Sequence, residues 1–167
     1  MMGSRRKARE SALQLLFELE FNDADPGRAI SRYWKENKVS AEVKEFGTWL
    51  VTGILSKRKE LDETIQPCSE NWRISRMAHV DRNILRIAVF ELLHEETVAP
   101  AVIINEAIEI AKKYSGENAS TFVNGILDAV RKKIAKSNKS TKEGRHGQAG
   151  PNSKQRKIKP RSRAKAE

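Results

Sequence analysis

Arg5, Arg6, Lys7 and Arg9 place four cations within five residues, immediately before the apolar run Ala12-Leu-Gln-Leu-Leu-Phe17. At that density guanidinium and ammonium groups bind phosphates, through bidentate forks from arginine and point charge from lysine. A solvated face is the ordinary reading of a charge run. These cations, however, stand at the positive end of the first helix, where the dipole favours carboxylates, so phosphate is the better explanation of an arrangement that costs local stability. The other residues able to do chemistry are dispersed. His79, His94 and His146 share no short spacing, and Cys68, the one cysteine, supplies neither a disulfide nor a zinc pattern. Glu106 and Glu109 lie one turn apart and could pose as a catalytic pair, but a solvated helix face explains them better. No glycine-rich phosphate loop stands between a strand and a helix. The pattern implies binding, with no catalytic centre, no metal and no cofactor.

The element that must organise the chain is Asp81 to Leu93, DRNILRIAVFELL. At about 100° per residue its apolar side chains Ile84, Leu85, Ile87, Ala88, Val89, Phe90, Leu92 and Leu93 fall nearly all round the helix, so neighbours must cover it on most sides. Asp81 suits its N-cap or positive end. Arg86 is the lone strong base on that surface and is read as structural, paired with a carboxylate from a neighbouring helix such as Glu106.

Around this centre the spacing predicts five more helices. Ser4 caps the first, to about Phe21, in which Ala8, Ala12, Leu15, Leu16 and Leu19 form one stripe. Leu13, Phe17 and Phe21 lie nearly opposite. That second stripe is either covered by the same chain or exposed as a partner site. Pro26 opens a second helix to about Asn37, and Ser40 caps a long third one over 41–66, unbroken by proline, with Gly47 and Gly53 as close-packing positions. Pro67-Cys-Ser-Glu-Asn is the clearest internal boundary. Pro100 starts the fifth helix, Gly116 closes it in a left-handed conformation, and Asn118 or Ser120 starts the last. In the last helix Ala119, Val123, Ile126, Leu127, Val130 and Ile134 form the core stripe. Phe122 lies roughly 80° from its centre, either half in the core or as a ring on which a base stacks.

Net charge is +10, but its distribution decides what that means. Residues 136–167 hold eleven basic against two acidic residues, whereas residues 1–135 hold 21 against 20. The folded part is nearly neutral, and any specific polyanion site on it must come from local clustering. With Ile158 as its only sizeable aliphatic residue, 136–167 is expected to be a disordered basic tail. The chain shows no secretory apolar segment and no run of eighteen apolar residues, so a cytoplasmic protein without membrane association is expected.

Three blocks, RRKARESALQLLF, DRNILRIAVFELL and PAVIINEAIEIAKKYSGENASTFVNGILDAV, resemble the NusB family of transcription antitermination factors over about residues 4–135. The resemblance implies an all-α fold of two three-helix sub-bundles, about 4–67 and 72–135, forming one RNA-binding domain over 1–135. It also implies a non-catalytic adaptor that pairs with NusE, a small-subunit ribosomal protein. Together they bind single-stranded boxA RNA in transcripts such as ribosomal RNA leaders, within the RNA polymerase antitermination complex. By position, Arg5, Arg6, Lys7, Arg9, Thr121 and Phe122 match RNA-contacting sites of the family. Phe17, Phe21 and Asp81 match sites facing NusE, which assigns the stripe begun by Leu13 to the partner. Thr121 stands where some members carry lysine, removing one phosphate contact, and the basic tail is no part of the family's core. Two other readings are an accessory module for ribosomal RNA modification and a protein scaffold with only non-specific RNA affinity from its tail. A helix-turn-helix DNA binder would need a polar, basic recognition helix, which the segment after Gly116 does not supply.

Overall fold

The computed structural model describes residues 3–146 as six α-helices: α1 Ser4–Phe21, α2 Pro26–Glu36, α3 Ala41–Ile65, α4 His79–His94, α5 Pro100–Tyr114 and α6 Glu117–His146. Two short 3-10 turns, Gln66–Cys68 and Ile74–Arg76, join α3 to α4. No described helix is long and apolar enough to cross a membrane.

α4 is the centre that the hydrophobic pattern predicts, packing against α1, α3, α5 and α6. Every residue from Asn83 to Glu91 is buried, polar ones included. The apolar ring ends sooner than expected, since Leu93 is exposed. The buried apolar residues of all six helices join in one core.

Local signals account for most of the boundaries. The Asp25 carboxylate accepts the Arg28 amide ahead of Pro26, and the Ser40 hydroxyl accepts the Val43 amide at 3.3 Å. Gly116 takes φ +98°, donating its amide to the Ala111 carbonyl at 3.0 Å. A Cβ at Gly47 would meet Trp34 at 2.9 Å and one at Gly53 would meet Phe90 at 2.2 Å, so both glycines admit an aromatic ring against α3.

Other expectations need correction. Ser4 is the first helical residue and not the cap; Gly3 takes that place, with no side-chain cap bond. α3 is kinked at Lys57, where φ is −116° and ψ 16°. The Ser56 hydroxyl donates to the Gly53 carbonyl at 3.0 Å, competing for the acceptor that the Lys57 amide would use in a regular helix. Arg86 is structural but does not meet Glu106. It forks onto Asp62 of α3 with two bonds of 2.8 Å and reaches Glu20 of α1 at 3.1 Å, because its face of α4 turns toward α1 and α3 rather than α5. Residues 136–146, expected as disordered tail, continue α6. The hydroxyls of Ser137, Ser140 and Thr141 bond the carbonyls four residues back, keeping these polar side chains satisfied on the helix. The remainder of the expected tail, 147–167, lies outside the described residues.

Candidate RNA and partner interface

The N-terminal arginines do not project freely into solvent. Arg5 donates to Glu95 at 2.8 Å, and its guanidinium lies 4.1 Å from the Phe46 ring centroid. Arg6 forks onto Glu106 at 2.6 and 2.9 Å. Arg9 forks onto Glu91 at 2.7 and 2.8 Å, the two side chains being 4% and 1% exposed. The carboxylates that the dipole calls for at the start of α1 are therefore supplied by α4, α5 and the loop between them. Arg9, expected as a phosphate contact, is held in a buried ion pair and only borders the cleft it shares with Arg5 and Arg6. Arg5 and Arg6 keep partial exposure, and Lys7 is exposed without an ion pair among the described residues.

These pairs perturb their acids in different directions. Burial pushes the Glu91 carboxyl above its ordinary range, against the pull of Arg9. The Thr97 hydroxyl, with Arg5, holds Glu95 down at about 2. The Arg6 fork lowers Glu106.

At the other end of α1 lies an aromatic patch. Phe17 and Phe21 are 41% and 58% exposed, with ring centroids 4.8 Å apart, and the His79 ring stands 4.8 Å from Phe21. Leu13, expected on the same exposed stripe, is 3% exposed and belongs to the core. One turn of helix separates the two outcomes: Leu13 is buried, and exposure on this stripe begins at Phe17. Glu20 fixes the patch from behind, bonded to the His79 Nδ1 at 2.5 Å and to Arg82 at 3.2 Å. Burial raises the Glu20 carboxyl, but His79 and Arg82 bring it net below its usual range.

Asp81, in the first turn of α4, is half-buried and its Oδ1 has no hydrogen-bond partner. It borders a cleft of about 410 Å³ lined also by Trp72, Arg76, Met77, Asn118 and Phe122. Phe122 is half-buried, its ring edge-on to Trp72 with centroids 6.4 Å apart, while Thr121 is exposed beside it. Phe122 thus stands at the rim of the core, with one edge covered. Trp72, 57% exposed, is a candidate that the sequence did not disclose. It sits in a loop with no apolar periodicity, and only its isolation among polar residues marked it.

The structure brings Asp81 and Phe122 to one cleft but does not join Phe122 to the arginine cluster. Arg5 and Arg6 border Val98 and Val102 at the start of α5, whereas the Phe122 cleft reaches Ser115 just past its end. At about 1.5 Å per residue these ends are roughly 22 Å apart. A ligand touching both must be extended.

The sequence matches the profile of the NusB family over residues 6–132. It is 45% identical over 137 residues to the transcription antitermination protein NusB of Syntrophus aciditrophicus, covering 82% of this chain and 85% of that one. The NusB of Anaeromyxobacter dehalogenans is 47% identical over 131 residues, covering 78% and 92%. Among solved structures, T. maritima NusB superposes with a TM-score of 0.72 at 38% identity, covering 79% of this chain and 93% of that one. A crystal structure of antitermination factors NusB and NusE in complex with dsRNA matches at 0.71 and 29% identity, covering 79% and 98%.

Proposed function

The chain belongs to the NusB family, and on that premise we propose that it is a cytoplasmic transcription antitermination factor acting by binding alone. It pairs with NusE and holds boxA-type single-stranded RNA of nascent transcripts, ribosomal RNA leaders among them, within the antitermination complex of RNA polymerase. The observation that carries this reading is the uncovered pair Phe17 and Phe21, backed by His79. Two exposed aromatics on a helix whose other face is fully packed are a protein-docking surface rather than a solvated one. Asp81 lies two residues from His79 and borders the Phe122 cleft, which makes a partner on the patch a neighbour of RNA in the cleft. Within this reading Phe17, Phe21 and Asp81 meet NusE. Phe122 and Trp72 supply rings to a base, Thr121 a hydroxyl, and Lys7 with the exposed edges of Arg5 and Arg6 meets phosphates. Leu13 and Arg9 support these groups from the core.

Two aspartate substitutions test it. Phe17→Asp and, independently, the more exposed Phe21→Asp are expected to keep native helicity by circular dichroism while losing NusE in titration calorimetry. Binding of boxA RNA should then fall to its NusE-independent level. Retention of NusE binding by both folded variants refutes the surface, and unfolding of both places the stripe inside the protein.

A further inference from the structure

The excess positive charge begins on α6, ahead of the seven basic residues and one acidic residue of 147–167, and the fold shows where that helix goes. Residues 1–130 hold eighteen basic against twenty acidic residues, and the first-turn arginines among them are paired internally. Residues 131–144 hold six basic and one acidic residue, all on α6. The core row of α6 runs Val123, Leu127, Val130, Ile134 and continues at the same spacing as Ser137 and Thr141. Beyond Ile134 there is accordingly nothing to bury, and every residue from Ala135 to Gly144 is exposed. α6 projects past the bundle as a free-standing basic rod.

Its cations are ordered with respect to the cleft. Taking about 100° per residue, Thr121, Gly125, Lys132, Lys136 and Lys139 fall within roughly 60° of one another, opposite the core row. A Cβ at Gly125 would meet nothing within 4 Å, so the backbone is open to approach between the cleft end and the first lysine. Three acids share this side, Glu117 at the helix start being the first. Asp128 is engaged by Lys132 at 2.9 Å, and Glu143 lies beyond Lys139. From Phe122 to Lys139 the helix rises about 25 Å, the span of roughly seven stacked nucleotides at 3.4 Å each.

We infer that the outer face of α6, through Lys132, Lys136 and Lys139, is a rail for the phosphates of RNA flanking the segment held at the Phe122 cleft. The inference rests on the RNA-binding reading above and extends it. The rail reads no bases: lysines on an exposed helix face offer point charges to phosphates and no edge that distinguishes one base from another. Its effect is added affinity for longer RNA, independent of flank sequence and steeply reduced by salt.

The test uses the full chain, with residues 147–167 in place, and the triple variant Lys132→Gln, Lys136→Gln, Lys139→Gln. Each is titrated with a boxA-type RNA without flanks and with about eight unstructured nucleotides added on the 5′ or the 3′ side. The wild type is expected to bind one flanked RNA at least tenfold tighter than the bare element at low salt. The triple variant should lose that gain, keep its affinity for the bare element, and show a log K against log salt slope on flanked RNA smaller by about 2 units. Equal gains from flanks in wild type and variant overturn the rail, as does no gain in the wild type. Failure of the wild type to bind any of these RNAs, or an unchanged affinity of Phe122→Ala for the bare element, counts instead against the reading on which the rail rests.

Discussion

Removal of Arg9 separates a buried tie from a phosphate ligand more sharply than any other substitution. In Arg9→Met the Glu91 carboxylate, 1% exposed and bonded to Arg9 at 2.7 and 2.8 Å, loses its partner in a site that water does not reach. Breaking one side of such a pair costs about 3–5 kcal/mol, a large share of the roughly 5–15 kcal/mol that stabilises a domain. For a domain of this size that lowers the melting temperature by about 10–20 °C. The loss also depends on pH. Glu91 is already raised by burial, and without Arg9 it rises further. A carboxyl whose folded value lies above its unfolded value binds its proton more tightly when folded, so its penalty is absent below the unfolded value and grows as pH rises through the folded one. The difference in stability between variant and wild type, measured by urea unfolding across the acid to neutral range, should thus be smallest at acid pH and largest at neutral pH. The acid titration of Glu95 is common to both proteins and cancels in that difference, whereas Glu106, 3.9 Å from Arg9, loses one of the charges that lower it and so adds to the loss at neutral pH. Arg9→Met combined with Glu91→Met should recover most of the loss, since two apolar side chains of similar volume replace the pair. An Arg9→Met protein of unchanged stability and reduced RNA affinity would refute this account and return Arg9 to the surface.

Three further outcomes follow from local geometry. Glu95 is held at about 2 by Thr97 and Arg5, so it contributes stability at pH above 4.5 that is lost as pH falls toward 2; Glu95→Gln should flatten that part of the acid-unfolding curve. Gly53→Ala places a Cβ 2.2 Å from the Phe90 ring and should cost about 1–3 kcal/mol in chemical denaturation, since the ring is buried between α3 and α4 and has little room to withdraw. Phe122→Ala should lower affinity for single-stranded RNA by about 1–3 kcal/mol in a binding titration. Its ring is half outside the core, so thermal stability should fall by less than the loss typical of a fully buried phenylalanine, about 3 kcal/mol or more.

The helices were legible because short-range signals mark several of their ends, with Ser40 as a cap, Pro26 and Pro100 at helix starts and Gly116 past a helix end, and because an apolar period runs throughout. The buried centre was legible because apolar residues on all sides of a helix leave it no solvent face. Pairing was not. That Arg86 needed a carboxylate could be read from Arg86 alone, but whether Asp62, Glu20 or Glu106 supplied it depends on which way α4 is turned, a property of the assembled bundle. The same limit explains Arg9. Its charge and position suggested phosphate, and nothing near it in sequence indicated a carboxylate 82 residues away. The kink at Lys57 coincides with a serine hydroxyl taking one carbonyl, a competition that a hydrophobic pattern does not record. At α6 the loss of apolar residues after Ile134 was read as loss of structure, whereas it marks only the end of packing; a lysine-rich stretch with no interior glycine or proline before Gly144 can extend a helix already nucleated by its buried half.

α1 shows why these long-range pairs matter to function. Its first turns are tied across the bundle by Arg5 to Glu95, Arg6 to Glu106 and Arg9 to Glu91. Its last turn is tied by Glu20 to His79, Arg82 and Arg86 at the opposite end of α4. Phe17 and Phe21 flank that second tie, on a helix whose rotation and slide are fixed at both ends. A partner that seats the two rings need not first order the helix that bears them, so less of the contact energy is lost to conformational entropy on binding. The ion pairs and the aromatic patch are then parts of one device. Three of the charges that resemble a polyanion site in the sequence are also ties within the protein, and what those ties hold still is the helix that bears the surface offered to another protein.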